Sequence, residues 1–170
     1  MDTEPKDVIV LGSIRRGKKK FSNIQNETRI NSEELNSILE QLENNGFIRV
    51  EEKKGWFGKK IELKITDKGS EELDKKIVEI QNKWQEMKSI YESGDKQKLQ
   101  QKMEENKSFL PTMMFFGVMD MMMFSMMFSM MGIGMSNFVA PENMPAESMD
   151  DASMDGGGMD DGGFDFDIGF

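Results

Sequence analysis

Leu35, Ile38, Leu39 and Leu42 follow one another at spacings of three, one and three, which puts all four on one side of a helix. Asn31 or Ser32 stands where a cap is needed, and Glu33 and Glu34 fill the first turn, where carboxylates favour the helix dipole. Asn45-Gly46 ends the run. Upstream, Val8 to Ile14 predicts a short apolar helix, Gly17 breaks the pattern inside RRGKKK, and Phe21, Ile24 and Ile30 predict a second short helix with the turn after it. Downstream the period changes. Ile61, Leu63 and Ile65 alternate with Lys60, Glu62 and Lys64 in KKIELKIT, the signature of a half-buried strand, and FIRVEE supplies its partner. Between them KKGWFGKK is a glycine-bracketed turn with two aromatics at its tip.

From residue 70 to 107 the pattern is helical again. Leu73, Ile77, Ile80, Trp84, Met87 and Tyr91 are spaced four, three, four, three and four, a heptad seam. It serves either a dimerising coiled coil or a helix packed back on its own domain. Ser93-Gly94-Asp95 interrupts it, and Asp95 is placed to cap a further helix through Leu99, Met103 and Leu110, ended or bent at Pro111.

Residues 113–135 hold eleven methionines. Read as one helix, the stretch is apolar almost all round, with Asp120, Ser125 and Ser129 as polar relief, so something must cover it. Three covers suit it. At ~1.5 Å per residue it is long enough for a hydrocarbon core of about 30 Å. Against a membrane span, Asp120 near the bilayer centre would cost about 2.5–3.5 kcal/mol, and Gly117, Gly132 and Gly134 interrupt the run. A second copy could pack along the ridge of Gly117, Met121, Ser125, Ser129 and Ile133. A groove for varied apolar partners would use unbranched, polarizable side chains such as Met113, Met114, Met121, Met122, Phe124, Met126, Met127 and Met130. In composition the run is similar to the methionine bristles of signal-sequence-binding domains and of tail-anchored-protein chaperones.

Charge divides the chain. All 22 Lys and Arg lie at or before Lys107 beside 21 acids, and the ten remaining acids follow without a base. The net charge of -9 therefore belongs to the back half. With no Cys and no His, thiolate chemistry, imidazole catalysis and the usual zinc sites are excluded, and no pair of carboxylates converges on a catalytic arrangement. We therefore expect neither an enzyme nor a cofactor or metal. The acidic start MDTEPKD does not read as a secretory signal, and a cysteine-free chain fits the cytoplasm, with membrane association possible only through residues 113–135.

The run LNSILEQLENNGFIRVEEKKGWFGKKIELKITDKG resembles the helix, wing and TxKG pattern of MarR-like and PadR-like regulators in the winged helix-turn-helix superfamily, over about residues 7–69. The expected fold is α+β, mainly helical. It comprises a winged helix-turn-helix over residues 1–69, a helical or coiled-coil extension over 70–110, a Met-rich apolar helix over 111–138 and a disordered acidic tail over 139–170. The resemblance implies a dimeric regulator that binds duplex DNA or another nucleic acid. Arg15, Arg16, Lys18, Lys19 and Lys20 would meet the phosphates at the second helix, whose first turn carries Ser22 and Asn23. Lys53, Lys54, Lys59 and Lys60 would do so at the wing, where Trp56 and Phe57 would either wedge between bases or stack on a single strand, or else pack on a partner or fold back on the hairpin. The recognition helix supplies only Asn36, Ser37 and Gln41 for base edges. It has no Lys or Arg and carries Glu33, Glu34, Glu40 and Glu43, which predicts mainly electrostatic contacts made elsewhere. The alternative is a chaperone-like or membrane-associated adaptor whose winged unit docks on RNA, a ribosome or a protein.

The last residues, DFDIGF, look similar to the acidic tip of bacterial single-stranded-DNA-binding proteins. Phe164, Phe166, Ile168 and Phe170 alternate and would hook onto an unknown protein partner as an added edge strand.

Overall fold

The computed structural model describes residues 3–140. The tail hook Phe164, Phe166, Ile168 and Phe170 lies outside the described residues. Helix α1 (Pro5–Arg15) is followed by α2 (Phe21–Thr28), α3 (Ser32–Asn44), a hairpin of β1 (Ile48–Gly55) and β2 (Gly58–Ile65), and the long α4 (Asp67–Ser93). Then come α5 (Lys96–Glu105), α6 (Leu110–Phe115) and α7 (Met121–Met131). This is the mainly helical α+β fold expected, with a winged helix-turn-helix at its front.

Two cores share one helix. The first gathers Val8, Val10, Leu11 and Ile14 of α1, Ile24, Leu35, Ile38, Leu42, Ile48, Leu63 and the start of α4 at Leu73. Helix α1 is apolar on nearly every side because it is buried on nearly every side, meeting α2, α3, α4, α6 and β2. A capping box opens it. The Glu4 N–H donates to Asp7 Oδ2 at 2.9 Å, and Pro5 takes a first-turn position where its missing N–H costs nothing. Burial pushes the Asp7 carboxyl above its ordinary range.

The TDKG stretch fastens the wing to α4. Thr66 accepts from the Gly69 N–H at 3.1 Å and donates to the Gly46 carbonyl at 2.6 Å, while Lys68 donates to the Asn45 carbonyl at 2.7 Å. The turn after α3 is thereby tied to the start of α4. At Gly69 the approach is so close that a Cβ would lie 2.0 Å from the Phe47 carbonyl oxygen. Gly69→Ala is therefore expected to cost about 3 kcal/mol, measured by urea unfolding, because backbone rather than a pliable side chain must yield.

The second core is built on the far half of α4. Ile80, Trp84 and Met87 are buried against Leu99 and Met103 of α5, Leu110 and Met113 of α6, and Phe124, Met127 and Phe128 of α7. The heptad seam is thus intramolecular. Leu73 and Ile77 belong to the first core, and Ile80, Trp84, Met87 and Tyr91 to the second. Of the two covers open to this seam, the chain's own helices supply one: Leu73, Ile80, Trp84 and Met87 are buried and Ile77 and Tyr91 half-buried within the chain. Lys102 of α5 meets Glu86 of α4 at 2.9 Å, which lowers the glutamate's pKa and raises the lysine's.

The methionine run is not one helix. Residues 116–120 separate α6 from α7, Gly117 has φ +64°, and the Asp120 carboxylate caps α7 by accepting from the N–H groups of Met122 and Met123 at 3.0 and 3.3 Å. The acid read as a burden inside an apolar helix is the reason a new helix starts there. Pro111 likewise opens α6 instead of ending a helix from Asp95. The ridge of Gly117, Met121, Ser125, Ser129 and Ile133 required a continuous helix, and this break and the end of α7 at Met131 divide it. Among the described residues no helix is long and apolar enough to cross a membrane. Of the residues expected to hold apolar partners, Met113, Phe124 and Met127 are fully buried in the chain's own core, whereas Met122 is 74% exposed and Met126 is also exposed. Met114, Met121 and Met130 are half-buried against the same core.

Candidate nucleic-acid interface

The helix-turn-helix is made by α2, a three-residue turn and α3. Arg29 ends α2 in the left-handed region at φ 57°, its N–H donating to the Gln25 carbonyl at 2.8 Å. Asn31 then caps α3, accepting from the Glu34 N–H at 2.9 Å, and Gln25 Nε2 reaches Ser32 Oγ at 2.8 Å across the two helices. With Leu35, Ile38 and Leu42 turned into the core, α3 presents Glu33, Asn36, Ser37 and Glu40 outward, and Gln41 is half-buried. Lys6 of α1 pairs with Glu34, so one of the four carboxylates on this helix is already neutralised. That contact spans 28 residues and nothing local in the sequence announces it.

The two basic stretches are neighbours. Lys20 is extended, at φ -111° and ψ 145°, and the Lys19 carbonyl accepts from the Leu63 N–H of β2 at 2.8 Å. The loop before α2 therefore runs alongside the hairpin and brings Lys18, Lys19 and Lys20 beside the wing. All three are exposed. Ser22 and Asn23 are exposed in the first turn of α2, where no side chain caps the backbone.

Not every expected cation is available. Arg15 pairs with Asp74 of α4. Arg16 pairs with Glu27 at 3.5 Å, donates to the Phe115 carbonyl at 2.8 Å and lies 4.3 Å from the Phe115 ring centroid. It serves as the bolt between the winged unit and α6. Lys53 meets Glu62 at 3.1 Å and Lys59 meets Glu52 at 3.7 Å. Four of the nine cations placed on the two loops, Arg15, Arg16, Lys53 and Lys59, are thus engaged within the chain. Lys18, Lys19, Lys20, Lys54 and Lys60 make no ion pair among the described residues, and the Lys59 pair is long and exposed, so it costs little to exchange. On one face of the hairpin Arg49, Glu51, Lys64, Glu62 and Lys53 form a charged ladder. Lys64 beside Glu51, and Lys53 beside Glu62, hold both carboxyls below the usual range. Over the whole hairpin six cations face three carboxylates, so the wing stays positive.

Trp56 and Phe57 stand at the wing tip, 100% and 98% exposed, and neither folds back on the hairpin. Helix, turn, helix and a cationic wing thus appear together in one unit. The HxlR-like helix-turn-helix family model matches residues 5–92, just over half of the chain. The chain belongs to the HxlR-like helix-turn-helix family. Members of this family are transcriptional regulators and not enzymes, and the domain is a DNA-binding one. No curated protein and no solved structure matches the chain. The HxlR-like match takes in α1 to nearly the end of α4, whereas α5 to α7 and the methionine run lie beyond it. Sequence reasoning missed the bolt at Arg16. Its one local signal was Gly12, in the middle of an apolar helix, where a Cβ would lie 2.4 Å from the Phe116 ring.

Proposed function

We propose that this chain is a transcription regulator that grips duplex DNA mainly through lysines of the α1–α2 loop and the wing, and reads base sequence weakly. The observation that supports the reading is the hydrogen bond from the Leu63 N–H to the Lys19 carbonyl, which sets the α1–α2 loop beside the hairpin. An α3 without Lys or Arg supports the second half, since the commonest base-specific contact, a cation to guanine, has no donor there. The seam expected to pair two copies is covered within the chain, so the reading does not rest on a dimer. The adaptor alternative has no support of this kind, as most of its apolar contact residues are buried or half-buried.

Fluorescence anisotropy on labelled duplexes tests it. If the five unpaired lysines and Lys59 neutralise about six phosphates, log K falls against log salt with a slope near -5. Affinities for duplexes of unrelated sequence are expected to agree within about tenfold, far short of the usual specific margin. A flat salt response, or no binding at low salt, would remove the reading.

A further inference from the structure

The wing tip has a construction that phosphate gripping does not require. Gly55 pairs with Gly58, leaving Trp56 and Phe57 as a two-residue turn. Neither aromatic has positive φ. Gly58, at φ +117°, takes the conformation that an L side chain would resist, so two large rings can occupy the turn itself. The last hairpin residues in the core are Ile48 and Leu63. From the Val50–Leu63 rung to the Gly55–Gly58 rung the hairpin extends five residues, roughly 17 Å at about 3.3 Å per residue. That reach exceeds the ~7.5 Å depth of a minor groove.

The cations behind the tip point to the partner. Lys54 lies opposite Lys59, and Lys53 opposite Lys60, in consecutive rungs. Like charges directly opposed across strands destabilise a hairpin. Glu52 and Glu62 relieve Lys59 and Lys53, but Lys54 and Lys60 have no carboxylate partner among the described residues. Two like-charged rungs behind two bare aromatic rings suit a partner with an apolar interior between anionic edges. The four lysines sit two on each strand, one pair on either side of the aromatics, matching the two phosphate rails of a groove better than the single rail of an unpaired strand. Strand axes about 4.8 Å apart make a ribbon wider than an undistorted minor groove of about 6 Å, so entry requires a groove opened by deformation, which a wedge at the tip supplies.

We infer that the wing enters the minor groove of duplex DNA, wedges Trp56 and Phe57 between base pairs and kinks the helix, with Lys53, Lys54, Lys59 and Lys60 on the flanking phosphates. This rests on the DNA-binding reading above and adds deformation of the target to it. Such a wedge selects flexible base steps and not a hydrogen-bonding code, which suits an α3 poor in base-reading donors.

The chain carries two tryptophans, Trp56 exposed and Trp84 buried, so a change in emission on adding DNA reports Trp56. The full chain is titrated with a duplex carrying a donor and an acceptor dye at its ends, and anisotropy is followed in parallel. Wild type is expected to lose Trp56 emission by stacking and to raise energy transfer as the ends approach. Trp56→Phe keeps the energy-transfer rise and loses the quenching. The double variant Trp56→Ala/Phe57→Ala, altered only at exposed positions, is expected to bind about tenfold more weakly with an unchanged salt slope and no longer to bend the duplex. Duplex binding without Trp56 quenching and without a rise in energy transfer would overturn the inference and leave the DNA reading standing. So would preferential quenching by a single strand, or a blue shift with anionic phospholipid vesicles where duplex gives no effect. A chain that binds no duplex at any salt fails both readings at once.

Discussion

Phe124→Ala is expected to remove about 3–5 kcal/mol from the stability of the chain. Phe124 is fully buried, meets Phe128 edge-on at 4.9 Å between centroids and lies 6.4 Å from Trp84. It is the ring through which α7 closes on α4. Loss of the ring leaves a cavity in a core built largely of methionine, whose long side chains fill it only in part. Set against a total of about 5–15 kcal/mol for an ordinary domain, the loss is large. Because α4 runs unbroken from the first core into the second, the damage is expected to reach the winged unit, and unfolding should stay a single transition. Urea unfolding followed by circular dichroism and by Trp84 emission, in a Trp56→Phe background, measures it. Met122→Ala on the exposed side of the same helix should change stability by less than about 0.5 kcal/mol. A Phe124 effect as small as that of Met122 would mean that α7 does not pack on α4, and would return the methionine run to outside partners.

Changing Lys18, Lys19, Lys20, Lys54 and Lys60 together to alanine is expected to weaken duplex binding at low salt by about a hundredfold or more, since each phosphate contact releases condensed counterions. None of the five has an ion pair to lose within the described residues, so the melting temperature should scarcely move. The opposite change, Glu33→Gln with Glu40→Gln on the outward face of α3, should strengthen binding, because carboxylates near phosphates oppose it. Anisotropy and thermal melts on the same preparations separate the electrostatic effect from any loss of fold.

Much of this architecture was legible in short-range pattern. The spacing of Leu35, Ile38, Leu39 and Leu42, a cap at Asn31 or Ser32 and the alternation of Ile61, Leu63 and Ile65 reappear as α3, capped by Asn31, and β2. These signals lie within one or two turns of chain, where local sterics and hydrogen bonding decide. The seam of α4 was visible, but its partner was not, because heptad spacing serves a second copy and the chain's own helices equally well. In the methionine run composition drowned punctuation: Gly117 and Asp120 carried the stop and the cap, yet side chains on every side suggested continuity. The candidate site divided along the same line. Its exposed lysines and aromatics were legible from local runs, whereas the pairing of Arg15 with Asp74, 59 residues away, was not. Nor was the meeting of Lys19 with Leu63, which depends on how the chain returns.

The most direct test of a single cationic surface made from loop and wing is the salt dependence of duplex binding in two half-variants and their combination. Removing Lys18, Lys19 and Lys20 should make the slope of log K against log salt shallower by about 2.7, removing Lys54 and Lys60 by about 1.8, and removing all five by the sum. A slope unchanged by either half-variant, in a protein that still binds, would contradict the account.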